Sequence, residues 1–195
     1  MQNEIYGKRE NVSIIVFEVG WEQFAIDLLD VKEIIKAGQI RRLPKSLDFI
    51  DGIYNYRGEI IHVINLRKKL DLDEYRLYKT KSELLAQKER EDKKKPKAPT
   101  QTQTKEDSDA KNKYIIIVNV NNRNIGFYVD KIYNVSQIKT EDIVDLGGIF
   151  QTSISIEYIK GIIKFEDRPR ILMDLSKILT ETEQLMIKKE LKSLN

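Results

Sequence analysis

The chain has no cysteine, which rules out a disulfide framework and a thiolate metal site and is compatible with a reducing compartment. Its single histidine, His62, stands in an apolar stretch with no HExxH spacing around it, so a core histidine is the simplest reading. No GxSxG turn, no GxGxxG and no GxxxxGK[ST] occurs, which leaves nucleophile-elbow and phosphate-loop chemistry without a motif. Asp27, Asp30 and Asp130 match no oxygen-ligand loop. No catalytic residue, metal or cofactor is therefore expected, and an enzyme is not. No run approaches the roughly 20 apolar residues of a membrane helix. The first ten residues, MQNEIYGKRE, are polar with no apolar stretch behind them, so no secretory signal is read. The expectation is a soluble, cytoplasmic protein without direct membrane insertion. A net charge of +3 is too mild to imply nucleic acid by itself.

What is there is a repeat. Residues 49–70 (FIDGIYNYRGEIIHVINLRKKL) align without a gap on residues 158–179 (YIKGIIKFEDRPRILMDLSKIL), Gly52 falling on Gly161 at an offset of 109. Phe49 then meets Tyr158, Ile50 meets Ile159, Leu66 meets Leu175 and Leu70 meets Leu179. A second echo precedes each block: residues 24–34 (FAIDLLDVKEI) match 125–135 (IGFYVDKIYNV) at an offset of 101. The recurring glycine fits a sharp turn into a strand that needs positive φ. Two related halves share the chain, each too small and too β-rich to bury a core alone. Such a period is too long for a solenoid.

Residues 13–19 and 23–28 read as β runs around a Gly-Trp-Glu turn, while 29–36 fit a helical turn or a strand equally. A turn of helix is expected over 47–51, ending at Gly52. A hairpin follows, over 53–55 and 59–66 around Tyr56-Arg57-Gly58. The second half opens with 114–120, turns at Asn121–Asn124, returns over 125–129, and carries an alternating stretch at Ile154 and Ile156. Thr180-Glu181-Thr182-Glu183 is a capping box for a final helix, whose Leu185, Ile187, Leu191 and Leu194 are expected to cover the open side of a barrel. Residues 74–112 are crowded with Lys, Glu, Thr, Gln and Pro, and their composition predicts a disordered insertion with a frayed helix at its start. The domain reading is an N-terminal tail over 1–12 and one domain over 13–195, interrupted by 74–112. The fold class is mainly β: two small barrels, because closure removes aggregation-prone edges, with a C-terminal α-helix.

Arg57 lies at a hairpin turn among apolar strands, with Glu33 in the preceding segment. It reads equally as a solvated turn arginine or as a positioned guanidinium paired with a carboxylate at a binding surface.

FIDGIYNYRGEIIHVINL at 49–66, together with the Ile-Asp-aliphatic turn and Val-Lys-Glu-Ile between Phe17 and Ile34, resembles the CheW family. That family is the adaptor coupling chemoreceptors to the histidine kinase CheA in bacterial chemotaxis. The resemblance runs from Ser13 to the final helix, apart from 74–112. It implies two five-stranded β-barrel subdomains packed side by side, and a receptor-binding groove between them matching Leu28, Val31, Glu33, Gly52, Arg57 and Ile132. It also implies that Glu33 and Arg57 pair beside that groove. The implied partners are a chemoreceptor cytoplasmic tip and the CheA-type histidine kinase regulatory domain, with no nucleic acid. Tyr56 stands where the family has an aliphatic residue, Asn65 where it has Asp, and 74–112 exceeds the usual loop. Two other readings compete with it. A CheW-type domain of the kinase itself is expected not to fit, since the chain stops about a helix after the second block. A small β-barrel nucleic-acid binder with a Lys-rich arm would interleave aromatics with basic residues on one face, whereas Tyr and Phe here fall mostly in apolar strands.

Overall fold

The computed structural model describes residues 9–44, 46–72, 113–145 and 154–192. The expectations for 74–112 and for the side chains of Leu191 and Leu194 lie outside the described residues. Eleven strands account for about half of the described residues. β1 (Asn11–Val19) and β2 (Glu22–Asp27) form a hairpin whose turn contains Gly20 at φ +67. A 3₁₀ turn over Leu28–Asp30 leads into β3 (Val31–Lys36), which settles the ambiguity of that segment as a turn and then a strand. β4 (Ile50–Tyr56) and β5 (Glu59–Asn65) form the second hairpin, followed by one helical turn, α1 (Leu66–Lys69). In the second half, β6 (Tyr114–Val120) and β7 (Arg123–Val129) pair, and β8 (Lys131–Lys139) and the two-residue β9 (Ile143–Val144) follow. β10 (Ile159–Ile163), β11 (Arg170–Met173) and the C-terminal helix α2 (Glu181–Lys192) complete the order.

The strands assemble into two sheets, and neither belongs to one half of the sequence. One runs β8-β1-β2-β11-β10-β9 and the other β3-β6-β7-β5-β4. The first half's opening hairpin is completed by the second half's closing one, through a parallel β2–β11 pairing that sets Ile26 beside Met173. The second half's opening hairpin takes β5 in the same way, Ile64 lying beside Phe127 on β7. The duplication is therefore present in three dimensions but swapped, each half lending strands to both lobes.

Repeat-related positions occupy equivalent places. Gly52 and Gly161 each follow a register shift, after Ile50 and after Ile159. Asn65 and Asp174 each cap the turn behind them, accepting from the amides of Lys68 and Ser176 at 3.1 Å. Leu66 and Leu175 are wholly buried, and Leu70 and Leu179 are each 3% exposed.

Both faces of the central strands are apolar because each faces a different core. Val12, Ile14 and Val16 of β1 point into one lobe with Ala25, Ile163 and Leu172. Ile61, Val63, Ile115 and Ile117 fill the other with Tyr56. The alternate positions, among them Ile15, Phe17, Ile116, Val118 and Phe127, meet in a larger core between the sheets. Each such side chain contributes about 1.5–3 kcal/mol on burial, so the seam is the main cohesive layer.

Four expectations are corrected. The lobes are sheets of six and five strands rather than closed five-stranded barrels. Each curls, but its ends are joined by chain and not by a continuous ladder. β8 continues into β9 through a 3₁₀ turn at Thr140–Asp142, while in the other lobe one bridge, Arg41 to Ile53, links the chain after β3 to β4. Residues 47–51 are no helix, since strand pairing of Ile50 with Ile64 has already begun there. Ile154 and Ile156 do not alternate in a strand, because Ile156 opens a 3₁₀ turn and is 64% exposed. Helix α2 caps the core between the sheets through Ile187, which is 1% exposed, while Leu185 faces outward at 57%.

The capping box on α2 is reciprocal: the Thr180 amide donates to Glu183 at 2.8 Å, and the Glu183 amide donates to the Thr180 hydroxyl at 3.3 Å. Lys69 of α1 donates to both oxygens of Glu183, at 2.7 and 2.8 Å, with its ammonium 4.5 Å from the Phe49 ring centre. Burial works against the charged Glu183, yet the Lys69 bond and the Thr180 donors hold its carboxyl below the ordinary value. Those contacts pin the last helix to the first half of the chain.

Candidate functional site

The β4–β5 hairpin turns on two residues, Arg57 at φ +53 and Gly58 at φ +86. Two successive left-handed residues match the twist of the flanking strands, and Asn55 supports them by accepting from the Gly58 amide at 2.8 Å. Glycine suits such a turn, whereas a side-chain-bearing residue such as Arg57 is disfavoured there.

β3 and β4 are the two ends of the five-stranded sheet. Curling brings Glu33 of β3 against the hairpin turn, and side chains bridge what the backbone leaves open. Arg57 Nη2 lies 2.9 Å from Glu33 Oε1, while the Tyr56 hydroxyl donates to Glu33 Oε2. The Arg57 guanidinium sits 5.5 Å from the Tyr56 ring centre and the Lys32 ammonium 5.7 Å from it. Lys32 Nζ donates to Asn124 of β7 at 2.9 Å, and Asn124 in turn donates to Glu59. The Tyr56 hydroxyl bond, with help from Arg57, holds the Glu33 carboxyl below its ordinary value, and the same bond pushes the Tyr56 phenol up. Burial differs along this chain of contacts: Tyr56 is 6% exposed, whereas the Arg57 side chain is 73% exposed.

The other sequence-expected residues are distributed around the seam. Leu28 is on the 3₁₀ turn and 38% exposed. Val31 at the start of β3 and Ile132 on β8 are half-buried, both packed on the core between the sheets. Gly52 is buried, not presented: at φ +147, a Cβ there would stand 2.2 Å from the Arg41 carbonyl oxygen. The structure thus brings Glu33 and Arg57 into contact, sets Val31 and Ile132 on one core, and uses Gly52 to admit the Arg41 backbone. Sequence reasoning gave no role to Tyr56, Lys32 or Asn124. Tyr56 carried a signal, as a phenol at the turn beside Arg57, between strands otherwise read as apolar.

Beneath the Leu28–Asp30 turn lies an acidic group spanning both halves. Asp27, 2% exposed, accepts from the Leu29 amide at 3.0 Å and pairs with Arg9 at 3.1 Å. Asp30 pairs with Lys160 of β10 at 2.6 Å. Burial raises the Asp30 carboxyl above its ordinary value in spite of that lysine, with Asp27 and Asp174 adding repulsion. Among the described residues no group of His, Cys, Asp and Glu is placed to hold a metal. His62 is a buried strand residue facing Ile53 and Ile125 in register. What this surface offers is an exposed guanidinium held against β3 by the Glu33 carboxylate and the Tyr56 ring.

The CheW-like domain model matches residues 13–93 and 97–183, which takes in most of the segment read as an insertion. "Chemotaxis protein CheW" of Treponema pallidum is 28% identical over 174 residues, 89% of this chain and 85% of that protein. The protein of the same name from Klebsiella aerogenes is 26% identical over 191 residues, 98% of this chain and 95% of that one. Among solved structures, the scaffolding protein TtCheW from Thermoanaerobacter tengcongensis superposes with a TM-score of 0.60 at 26% identity, covering 86% of this chain and 91% of that chain.

Proposed function

This chain belongs to the CheW-like domain family, and from that we propose that it works by binding rather than by turnover, as an adaptor coupling chemoreceptors to the histidine kinase CheA in bacterial chemotaxis. The observation that carries the reading to particular residues is the Glu33–Arg57 pair. It holds a largely exposed guanidinium against β3, the strand that also carries the half-buried Val31. A helical receptor tip would lay an apolar stripe along Leu28, Val31 and Ile132, while Arg57 offers a fork of donors to a polar or acidic group at its edge. A second surface would hold the kinase's regulatory domain. Each contact biases the other's geometry, a coupling typically of about 1–3 kcal/mol.

No helix among the described residues is long and apolar enough to cross a membrane. Attachment to a receptor array would thus come through the receptor. The nucleic-acid reading finds no support among the relatives.

Arg57→Glu tests the site. Titrated separately against a receptor-tip fragment and a CheA regulatory domain, the variant is expected to lose receptor affinity far more than kinase affinity. Equal loss for both partners would remove Arg57 from a receptor-specific role.

A further inference from the structure

We propose that Tyr56 is the positioning residue of this surface: its buried phenol holds the Glu33 carboxylate so that Arg57 is presented in one orientation. The inference rests on the receptor-binding reading above and adds to it a residue that the family resemblance does not supply, since an aliphatic side chain is the pattern there.

An exposed Arg–carboxylate pair has little orientational hold by itself, because both long side chains must give up freedom to meet and salt screens their attraction. Here the pair is not alone. Glu33 is the only acidic residue on β3, and its two oxygens are divided: Oε1 faces Arg57 at 2.9 Å, and Oε2 accepts from the Tyr56 hydroxyl. The ring that carries that hydroxyl cannot drift. It is packed among Ile61, Val63, Ile115 and Ile117 inside the lobe, and it is fixed in register opposite Glu59. The ring's remaining surface receives the Arg57 guanidinium, 5.5 Å from its centre. Tyr56 therefore touches both members of the pair, one through its hydroxyl and the other through its π face. An aliphatic residue could fill the same space in the lobe but could do neither.

The backbone points the same way. Arg57 is held at φ +53, a conformation disfavoured for a side-chain-bearing residue, and such outliers persist where surrounding contacts over-determine them. The contacts that do so here are the Glu33 bond, the Tyr56 ring and the Asn55–Gly58 hydrogen bond. The consequence is a receptor-facing guanidinium whose placement depends less on ionic strength than a bare surface pair would.

Tyr56→Phe keeps the ring and removes only the hydroxyl. The first measurement is the titration of the Glu33 side-chain carboxyl by ¹³C NMR, with Lys32, Tyr56, Arg57 and Glu59 as the charged or titratable groups around it. In Tyr56→Phe its midpoint is expected to rise toward the ordinary glutamate value; an unchanged midpoint would overturn the proposal. The second is affinity for a receptor-tip fragment at low and high salt. Tyr56→Phe is expected to bind about 3- to 10-fold more weakly, with a steeper salt dependence. In the Glu33→Gln background the further change Tyr56→Phe is expected to cost little, because the phenol acts through the carboxylate. Additive losses would overturn it. If the unaltered protein bound no receptor tip, the functional reading would fail, while the Glu33 titration would still decide whether Tyr56 positions that carboxylate.

Discussion

Arg57 adopts a left-handed backbone that costs an L-residue about 1–2 kcal/mol, while Asn at the first central position is the ordinary choice for such a two-residue turn. Arg57→Asn is accordingly expected to keep or raise the urea midpoint while weakening receptor binding. A marked fall in stability would mean that the guanidinium holds the hairpin together and is not reserved for a partner. Lys160 poses the converse case. Its ammonium is the main compensation for Asp30, which burial raises above 3.8. A carboxyl raised on folding lends its full contribution below that unfolded value and loses it as pH climbs through the folded one. Lys160→Met leaves Asp30 beside Asp27 and Asp174 without a cation and lifts it further. The variant should lose about 1–3 kcal/mol at pH 7, and less near pH 4. Urea denaturation at the two pH values measures this, and equal losses would show that lost packing, not charge, sets the cost.

At the scale of elements, the two glycines of the repeat do different amounts of work at equivalent places. Gly52 has a positive φ and the Arg41 carbonyl lies where its Cβ would be, so Gly52→Ala must break the bridge that links the ends of the five-stranded sheet. At Gly161, a Cβ would meet the Ile143 methyl at 2.7 Å and the Val144 oxygen at 3.1 Å, a clash that a small shift of β9 can relieve. Gly52→Ala should cost at least about 2 kcal/mol, and Gly161→Ala about 1–2 kcal/mol. Thermal melts of both rank them, and the reverse order would contradict this account. The repeat blocks themselves were legible, because apolar spacing, the glycines and the capping positions are local properties. The Glu33–Arg57 pairing came only with the family resemblance. Which strand lies beside which was not legible: β2 and β5 are apolar on both faces, and alternation cannot say that each has a parallel neighbour from the other half. Helix α2 was misread for a related reason. Its stripe was judged by composition, but the Lys69–Glu183 pair and the capping box fix its rotation so that Ile187 turns inward and Leu185 outward. Tyr56 escaped notice as a functional residue because its partner, Glu33, lies across the sheet's opening, a proximity set by curvature.

For the molecule as a whole, the swap decides how the fold holds together. Were each half a lobe, the halves would meet at one interface and each could persist alone. Instead β2 needs β11 and β5 needs β7, while β1 pairs with β8 and β3 with β6, so separating the halves strips two parallel and two antiparallel pairings and opens the interior of both lobes as well as the core between them. Parallel strands brought from distant parts of a chain also make the topology rich in long-range pairing, which slows folding. Fragments covering residues 9–72 and 113–192 should therefore each be unfolded in isolation, with narrow amide dispersion in NMR spectra and no cooperative melt. Mixed at equal concentration they should regain dispersed spectra and a single transition, because every strand then finds its partner without a covalent link. If the first fragment folded alone, β1 and β2 would have to be pairing with β4 and β5. The core between the sheets, on which Ile132 and Val31 both pack, would then not depend on both halves. The mixture also offers a functional check: the residues proposed to face the receptor, Leu28, Val31, Glu33 and Arg57, all lie on the first fragment, yet receptor binding should appear only when the second is added, since part of the core on which Val31 packs and the β7 side of the Lys32 network come from it.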